Sequence, residues 1–308
     1  MGAINVIKGW SANCMLCSMF IILYIIQVLL CSFHVCCADR VTLRYGEWIR
    51  SDNEETLVSP GRKFELGFFS PTGSSGGKRY VGIWYTSNKQ TVEWVANRDL
   101  PLINATTGAF GFAKDGNLQV LDTTTEKAHW YSERYYSCDP CNTTDTIVNL
   151  TDSGNLVLYG YPYESSNVTS LWESFENPTD TFLPGMLLRG DMNLTSWRDR
   201  DDPGSGSFAF MLDTAGSQNA IIVNKEGTIY WKRPGWIYTI VSTREGQTSC
   251  NFKNARLVIN FSGKIEYWEQ STNGTWSLVY AMPRDNCSVY NVCGKFGSCN
   301  LHNYKLAC

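Results

Sequence analysis

Few side chains in this 308-residue sequence stand where they could do chemistry. Cys138-Asp139-Pro140-Cys141 has the C-x-x-C spacing of a redox pair. That motif opens a helix within a βαβ unit, and no helical periodicity follows it here. The two cysteines are expected to bridge each other, or one of them to reach Cys250. Gly204-Ser205-Gly206-Ser207-Phe208 resembles the front of a glycine-rich phosphate loop. Ala209 takes the third glycine position, however, and no other kinase motif follows, so the stretch reads as a turn before a strand. Asp199, Asp201 and Asp202 hint at calcium, but Pro203 occupies a ligand position and Phe210 stands where a bidentate glutamate belongs. His129 and His302 each stand alone, which leaves no material for a zinc site or a Ser/His/Asp relay. The expectation is a binding protein without catalytic residues, metal or cofactor.

The remaining reactive groups point to a compartment. Lys8 precedes an apolar run from Met15 to Val35, and Cys36-Cys37-Ala38 supplies the small residues of a cleavage site. A signal peptide over residues 1–38, cut before Asp39, would remove Cys14, Cys17, Cys31, Cys36 and Cys37. Seven of the 12 cysteines remain: Cys138, Cys141, Cys250, Cys287, Cys293, Cys299 and Cys308. Sequons of the form N-x-S/T follow at Asn104, Asn142, Asn149, Asn167, Asn193, Asn260, Asn273 and Asn286. Together these predict an oxidised, N-glycosylated extracellular chain with no membrane span once the signal is cut. A formal net charge of −3 gives no footprint for nucleic acid.

The elements that must position these groups are strands. Phe64, Leu66 and Phe68 alternate, as do Val81, Ile83 and Tyr85, and then Val92, Trp94 and Ala96. This period of two, broken by Ser59-Pro60-Gly61 and by the Gly/Ser-rich stretch from Pro71 to Gly77, predicts three short antiparallel strands. An internal repeat extends the pattern. Asp115-Gly116-Asn117-Leu118 runs on to Trp130, and Ser153-Gly154-Asn155-Leu156 to Trp172. Further along, Glu226-Gly227-Thr228-Ile229 precedes Trp231, and Ser262-Gly263-Lys264-Ile265 precedes Trp268. Hairpins of this kind must share a core, so two tandem all-β domains of similar plan are expected, with Trp84, Trp94, Trp130 and Trp172 inside.

Several of these stretches carry a resemblance. LVSPG, FELGFFSP, YVGIWY and WVANRD, followed by GNLQVLD, DSGNLVLY, LWESFENPTDTFLPGM and SWRDRDDPGSGSF, resemble the ectodomain of plant S-domain (G-type, bulb-type lectin) receptor-like kinases. The resemblance implies a β-prism lectin domain of three four-stranded sheets over 39–165 and an S-locus glycoprotein domain over 166–282. An incomplete EGF-like module over 283–308 would follow. It also implies Cys287–Cys299 and Cys293–Cys308 pairing, where spacing alone leaves three connectivities open. Implied partners are a carbohydrate or peptide ligand and a second ectodomain in a homodimer, in pollen recognition or defence. The family's Ser/Thr kinase is expected to be absent from this chain, and a stand-alone secreted mannose-binding lectin is the alternative.

The family's sugar motif is Q-x-D-x-N-x-V-x-Y, whose alternate residues face one ligand. Carried over by position, the first repeat reads Ala113, Asp115, Asn117, Gln119 and Leu121, keeping the Asp and Asn. The second reads Thr151, Ser153, Asn155, Val157 and Tyr159, keeping the Asn, Val and Tyr. Neither repeat is intact, and both asparagines also suit the turn that follows glycine.

Overall fold

A computed structural model describes residues 39–308, apart from 74–76, 104–106, 134–144, 162–166, 189–191, 214–218, 234–240, 245–246, 251–253, 303–304 and 308. The expected signal peptide over 1–38 lies outside the described residues. Among the described residues everything regular is extended apart from short 3₁₀ turns such as Ser174–Glu176 and Asn286–Ser288. Among the described residues no helix is long and apolar enough to cross a membrane.

Three short strands open the fold: β1 (Thr42–Arg44), β2 (Trp48–Arg50) and β3 (Thr56–Val58). Each joins a different sheet. β3 pairs with β4 (Phe64–Phe69), which continues to β5 (Tyr80–Tyr85) and β6 (Asn88–Val95). β2 pairs with β7 (Gly108–Phe112), followed by β8 (Leu118–Asp122) and β9 (Lys127–Tyr131). β1 pairs with β10 (Ile147–Leu150), followed by β11 (Leu156–Gly160) and β12 (Thr169–Glu173). The three four-stranded antiparallel sheets form a β-prism, as the family resemblance implies. Its axis is marked by Trp94 on β6, Trp130 on β9 and Trp172 on β12. Their ring centroids lie 5.5, 5.8 and 5.5 Å apart in mutually edge-on pairs, and each such pair contributes about 0.5–1.5 kcal/mol beyond its buried area.

The second unit repeats the scheme. β13 (Thr181–Phe182), β14 (Leu187–Leu188) and β15 (Asn193–Asp199) again go one to each sheet. β15 leads β16 (Asp202–Asp213), β17 (Asn219–Asn224) and β18 (Ile229–Arg233). β14 joins β20 (Gln247–Cys250), which pairs with β19 (Val241–Arg244). β13 joins β21 (Ala255–Ile259), β22 (Ile265–Gln270) and β23 (Trp276–Met282). The tail adds a Cys287–Cys299 disulfide and a hairpin of β24 (Asn300–His302) and β25 (Lys305–Ala307). Cys293 is disulfide-bonded as well. Cys308, Cys138 and Cys141, and the side chain of Cys250, lie outside the described residues.

Two details differ from the sequence reading. The expected boundary at 165/166 falls before β12, whose Val157↔Glu173 and Leu158↔Trp172 pairings complete a sheet of the first unit. A sheet edge would stay open without it, so the first unit extends at least to Glu173. Val92 also leaves the set it shared with Trp94. Register shifts between Ile83, Trp84 and Tyr85 place it with Tyr80, Trp84 and Val95 in a second apolar cluster, against Phe69 and Trp197. A bulge re-aims side chains in this way. Trp84 accordingly packs in that second cluster, which reaches β15 of the second unit through Trp197.

Candidate functional site

The two motif repeats straddle turns rather than lying wholly on strands. Asp115 and Asn117 sit in the turn before β8, and Ser153 and Asn155 in the turn before β11. Gly116 (φ 81°) and Gly154 (φ 88°) take the left-handed conformation that both turns need. Gly154 also sits where a Cβ would come within 2.9 Å of Leu183 and Phe64, so no larger residue fits there.

Both asparagines are occupied. The Ser132 hydroxyl donates to Asn117 Oδ1 at 3.2 Å and accepts the Leu118 N–H at 3.0 Å. The Ser174 hydroxyl does the same for Asn155 Oδ1 (3.2 Å) and the Leu156 N–H (2.9 Å). In the third sheet Asn97 Oδ1 accepts the Val81 N–H at 2.8 Å. A polar residue just past the last strand of each sheet of the first unit therefore pins the start of that sheet's third strand. Asn155 is the more deeply committed motif residue. Its Nδ2 donates to Glu173 Oε2 at 2.8 Å, its Oδ1 also accepts the Phe175 N–H at 3.2 Å, and it is 9% exposed. Asn117 Nδ2 donates to Asp115 Oδ2 at 2.8 Å. Of the rest, Gln119 and Val157 are buried, while Asp115 is exposed.

Tyr159 is different. It is half-exposed on β11 and lines a cavity of about 310 Å³ together with Arg44, Asp145, Ile147 and Tyr161. That cavity, at the end of the second motif, lies in the size range of small-ligand sites, about 300–1,000 Å³. Its contents, a phenol, a guanidinium, a carboxylate and an aliphatic wall, can hydrogen-bond hydroxyl groups and cover a C–H face.

WVANRD, which carried much of the resemblance, performs an assembly task. Trp94 Nε1 donates to the Asn177 carbonyl at 2.8 Å. Arg98 donates to the carbonyls of Pro203 (2.8 Å), Thr195 (3.0 Å) and Ser196 (2.9 Å). Burial lowers the pKa of its guanidinium, with the Asp180 charge opposing that shift. Asp99 accepts the Ser205 N–H at 2.6 Å and the Ser205 hydroxyl at 2.7 Å. The phosphate-loop look-alike is thus the second unit's docking strand for the first. Sequence reasoning missed this junction because its halves lie about a hundred residues apart.

A fourth contact is ionic. Arg256 on β21 donates to Glu93 on β6 at 2.8 Å, with its guanidinium 5.7 and 5.1 Å from the rings of Trp268 and Trp276. Burial pushes the Glu93 carboxyl up to about 7 despite the opposing pull of Arg256.

Two of the three calcium-like aspartates, Asp199 and Asp202, already have partners. Asp202 pairs with Arg198 (3.0 Å) and Lys78 (3.4 Å) and accepts the Gly204 N–H, and Asp199 accepts the Arg200 N–H. Among the described residues no three His, Cys, Asp or Glu side chains gather as a metal site. Of the sequons, Asn167, Asn193 and Asn273 are exposed, and Asn149 and Asn260 are half-buried. Asn104 and Asn142, and the side chain of Asn286, lie outside the described residues.

Comparison with known proteins adds similar domains and relatives. The D-mannose binding lectin model matches residues 91–200, and the S-locus glycoprotein domain model matches residues 237–308. A G-type lectin S-receptor-like serine/threonine-protein kinase of Arabidopsis thaliana is 36% identical over 95% of this chain and 36% of its own length. The kinase SRK of the same family and organism is 33% identical over 84% of this chain and 33% of its own length. The chain thus spans about a third of these relatives, and the domains it matches are the lectin and S-locus glycoprotein ones. Among solved structures, the Scilla campanulata fetuin-binding two-domain lectin is 14% identical, with a TM-score of 0.27 over 80% of this chain and 88% of its own.

Proposed function

We propose that this chain, through its lectin and S-locus glycoprotein domains, belongs to the G-type lectin S-receptor-like kinase family and is the part of such a receptor that meets a ligand outside the cell. The ligand class is carbohydrate. The chain binds and does not catalyse, and the response to binding, in pollen recognition or defence, is carried by a kinase region of the kind its relatives' names describe. The same ectodomain brings two receptors together.

The observation that carries this reading is the cavity at Tyr159, where the outward end of the second motif opens to solvent beside Arg44 and Asp145. Asn155 supports the site from beneath by holding the turn at the start of β11, so Tyr159 is presented at a fixed register. A glycan array probed with the secreted chain tests it. Mannose-containing glycans are expected to be retained, and Tyr159→Ala is expected to abolish retention with the circular dichroism unchanged. An array on which the wild-type chain binds no glycan overturns the reading. N-terminal sequencing of the same secreted protein is expected to begin at Asp39.

A further inference from the structure

A second and larger cavity, about 540 Å³, lies where the two β-units meet. Its polar lip comes from four turns. The first unit contributes Arg62 and Lys63 from between β3 and β4, and Asp152 and Ser153 from between β10 and β11. The second contributes Asn254, just before β21, and Gln270, the last residue of β22. The apolar part of the lining is Phe64, Tyr85 and Pro184. The two rings lie 4.4 Å apart and are nearly buried.

The lip is built in advance. Asp152 Oδ1 accepts the Gly61 N–H at 2.7 Å, which ties the two turns of the first unit together. A Cβ at Gly61 would stand 2.5 Å from the other carboxylate oxygen, so the close approach of the two turns goes with the glycine. On the opposite wall the Gln270 N–H donates to the Asn254 carbonyl at 2.7 Å, and Gln270 Nε2 donates to the Gly274 carbonyl at 3.2 Å. Behind the cleft, the Tyr85 and Trp276 rings lie 5.0 Å apart, and the Glu93–Arg256 pair fixes one wall against the other. A ligand entering would therefore not have to order its own site, which is where much binding free energy is otherwise lost.

The chemistry of the lip is selective. Two cations stand against one carboxylate, so its formal balance is positive by one. Ser153, Asn254 and Gln270 can each donate and accept, the requirement for gripping vicinal hydroxyls. The apolar lining is a small floor suited to the C–H face of a sugar ring. It offers no set of apolar pockets of the kind that anchor a peptide's side chains. We propose that this cleft is a ligand site for a short oligosaccharide of carboxylate-bearing sugars, with Lys63 and Arg62 taking the carboxylates and Asn254 and Gln270 the hydroxyls. The site is separate from the Tyr159 cavity and does not depend on it.

Titration of the purified chain with trigalacturonic acid, with neutral galactotriose and with a hexaglutamate peptide tests the assignment. The acidic trisaccharide is expected to bind about tenfold more tightly than the neutral one and to weaken as salt rises. Lys63→Glu is expected to weaken it by about tenfold and Gln270→Ala by severalfold, while Tyr159→Ala leaves it unchanged. Lys63 is exposed, so an unaltered unfolding midpoint in Lys63→Glu will separate lost binding from lost fold. The proposal is overturned if the wild-type chain does not bind the acidic trisaccharide or if Lys63→Glu binds it equally well. Tighter binding of hexaglutamate than of the saccharide would also overturn it, making the cleft a peptide groove. Loss of mannose retention with uronate binding intact would remove the Tyr159 reading alone.

Discussion

The two β-units touch through one surface that is closed and border one cleft that is open, and the two are built from opposite materials. At the closed junction, Arg98, Asp99, Trp94 and Glu93 of the first unit meet backbone carbonyls, Ser205 and Arg256 of the second, and Glu93 is 2% exposed. At the cleft, Lys63, Asp152 and Asn254 stand in turns at the surface. The recognisable words of the sequence, WVANRD and DDPGSGSF, belong to the closed side. Most polar cleft residues come from turns, and one of them, Ser153, is a degenerate position of the second sugar motif. In this chain WVANRD and DDPGSGSF fasten the two β-units, while the candidate ligand contacts proposed above sit mostly in turns outside those two stretches. This is the usual division between a rigid scaffold and the loops it carries.

If that division is right, the junction should break hard. Arg98→Ala strips three carbonyls of a charged donor and leaves Asp180, buried nearby, without the charge that opposes its desolvation. Removing one partner of a buried charge pair costs about 3–5 kcal/mol. The midpoint of chemical denaturation should fall accordingly, and a change under about 1 kcal/mol would show that the junction is loose.

The second test is a pH dependence. Glu93 has a folded-state pKa of about 7 against an ordinary value of 4.5. Its pKa is raised on folding, so between those values the native state holds the proton more tightly than the unfolded chain does. Stability from this group is therefore greatest on the acid side and falls as pH rises from about 4.5 through 7, by up to about 1.36 kcal/mol per pH unit. Asp180 is also raised by burial and slopes the same way. Glu93's share is read as the difference between wild type and Glu93→Gln, which should lack most of the decline. Parallel curves for the two proteins would mean that the Glu93–Arg256 pair stays ionised across this range.

Much of the architecture was legible because strands bury alternate residues. Phe64, Leu66 and Phe68 on β4 and Val81, Ile83 and Tyr85 on β5 all enter the main core, as their period of two requires. The glycine turns and the tryptophans placed Trp94, Trp130 and Trp172 in a shared core, since a hairpin with one large apolar residue needs neighbours to cover it. Val92 was not legible, because a bulge shifts register without a composition signal. Nor was the role of β12, since pairing partners are set by tertiary context and the Asn167 sequon before it reads as a linker. The candidate sites were legible only in part. Tyr159 follows from the second motif, whereas the cleft unites residues 62, 152, 254 and 270, which no local pattern connects.

The motif asparagines supply the finest test of the same contrast, because a ligand-binding residue and a brace respond differently to truncation. Asn155→Ala removes the acceptor of the Ser174 hydroxyl and the Phe175 N–H, and the donor to Glu173, in a site that is 9% exposed. Leaving such groups unpaired costs about 1–3 kcal/mol. Asn117→Ala, in the half-exposed counterpart turn, removes fewer bonds than Asn155→Ala, and about 0.5–1.5 kcal/mol is expected. Both losses should appear in thermal unfolding of the unliganded chain, with Asn155 the larger. Unchanged unfolding of Asn155→Ala together with lost glycan retention would reverse the assignment. It would put Asn155 among the ligand contacts and leave Glu173 to hold the turn by itself.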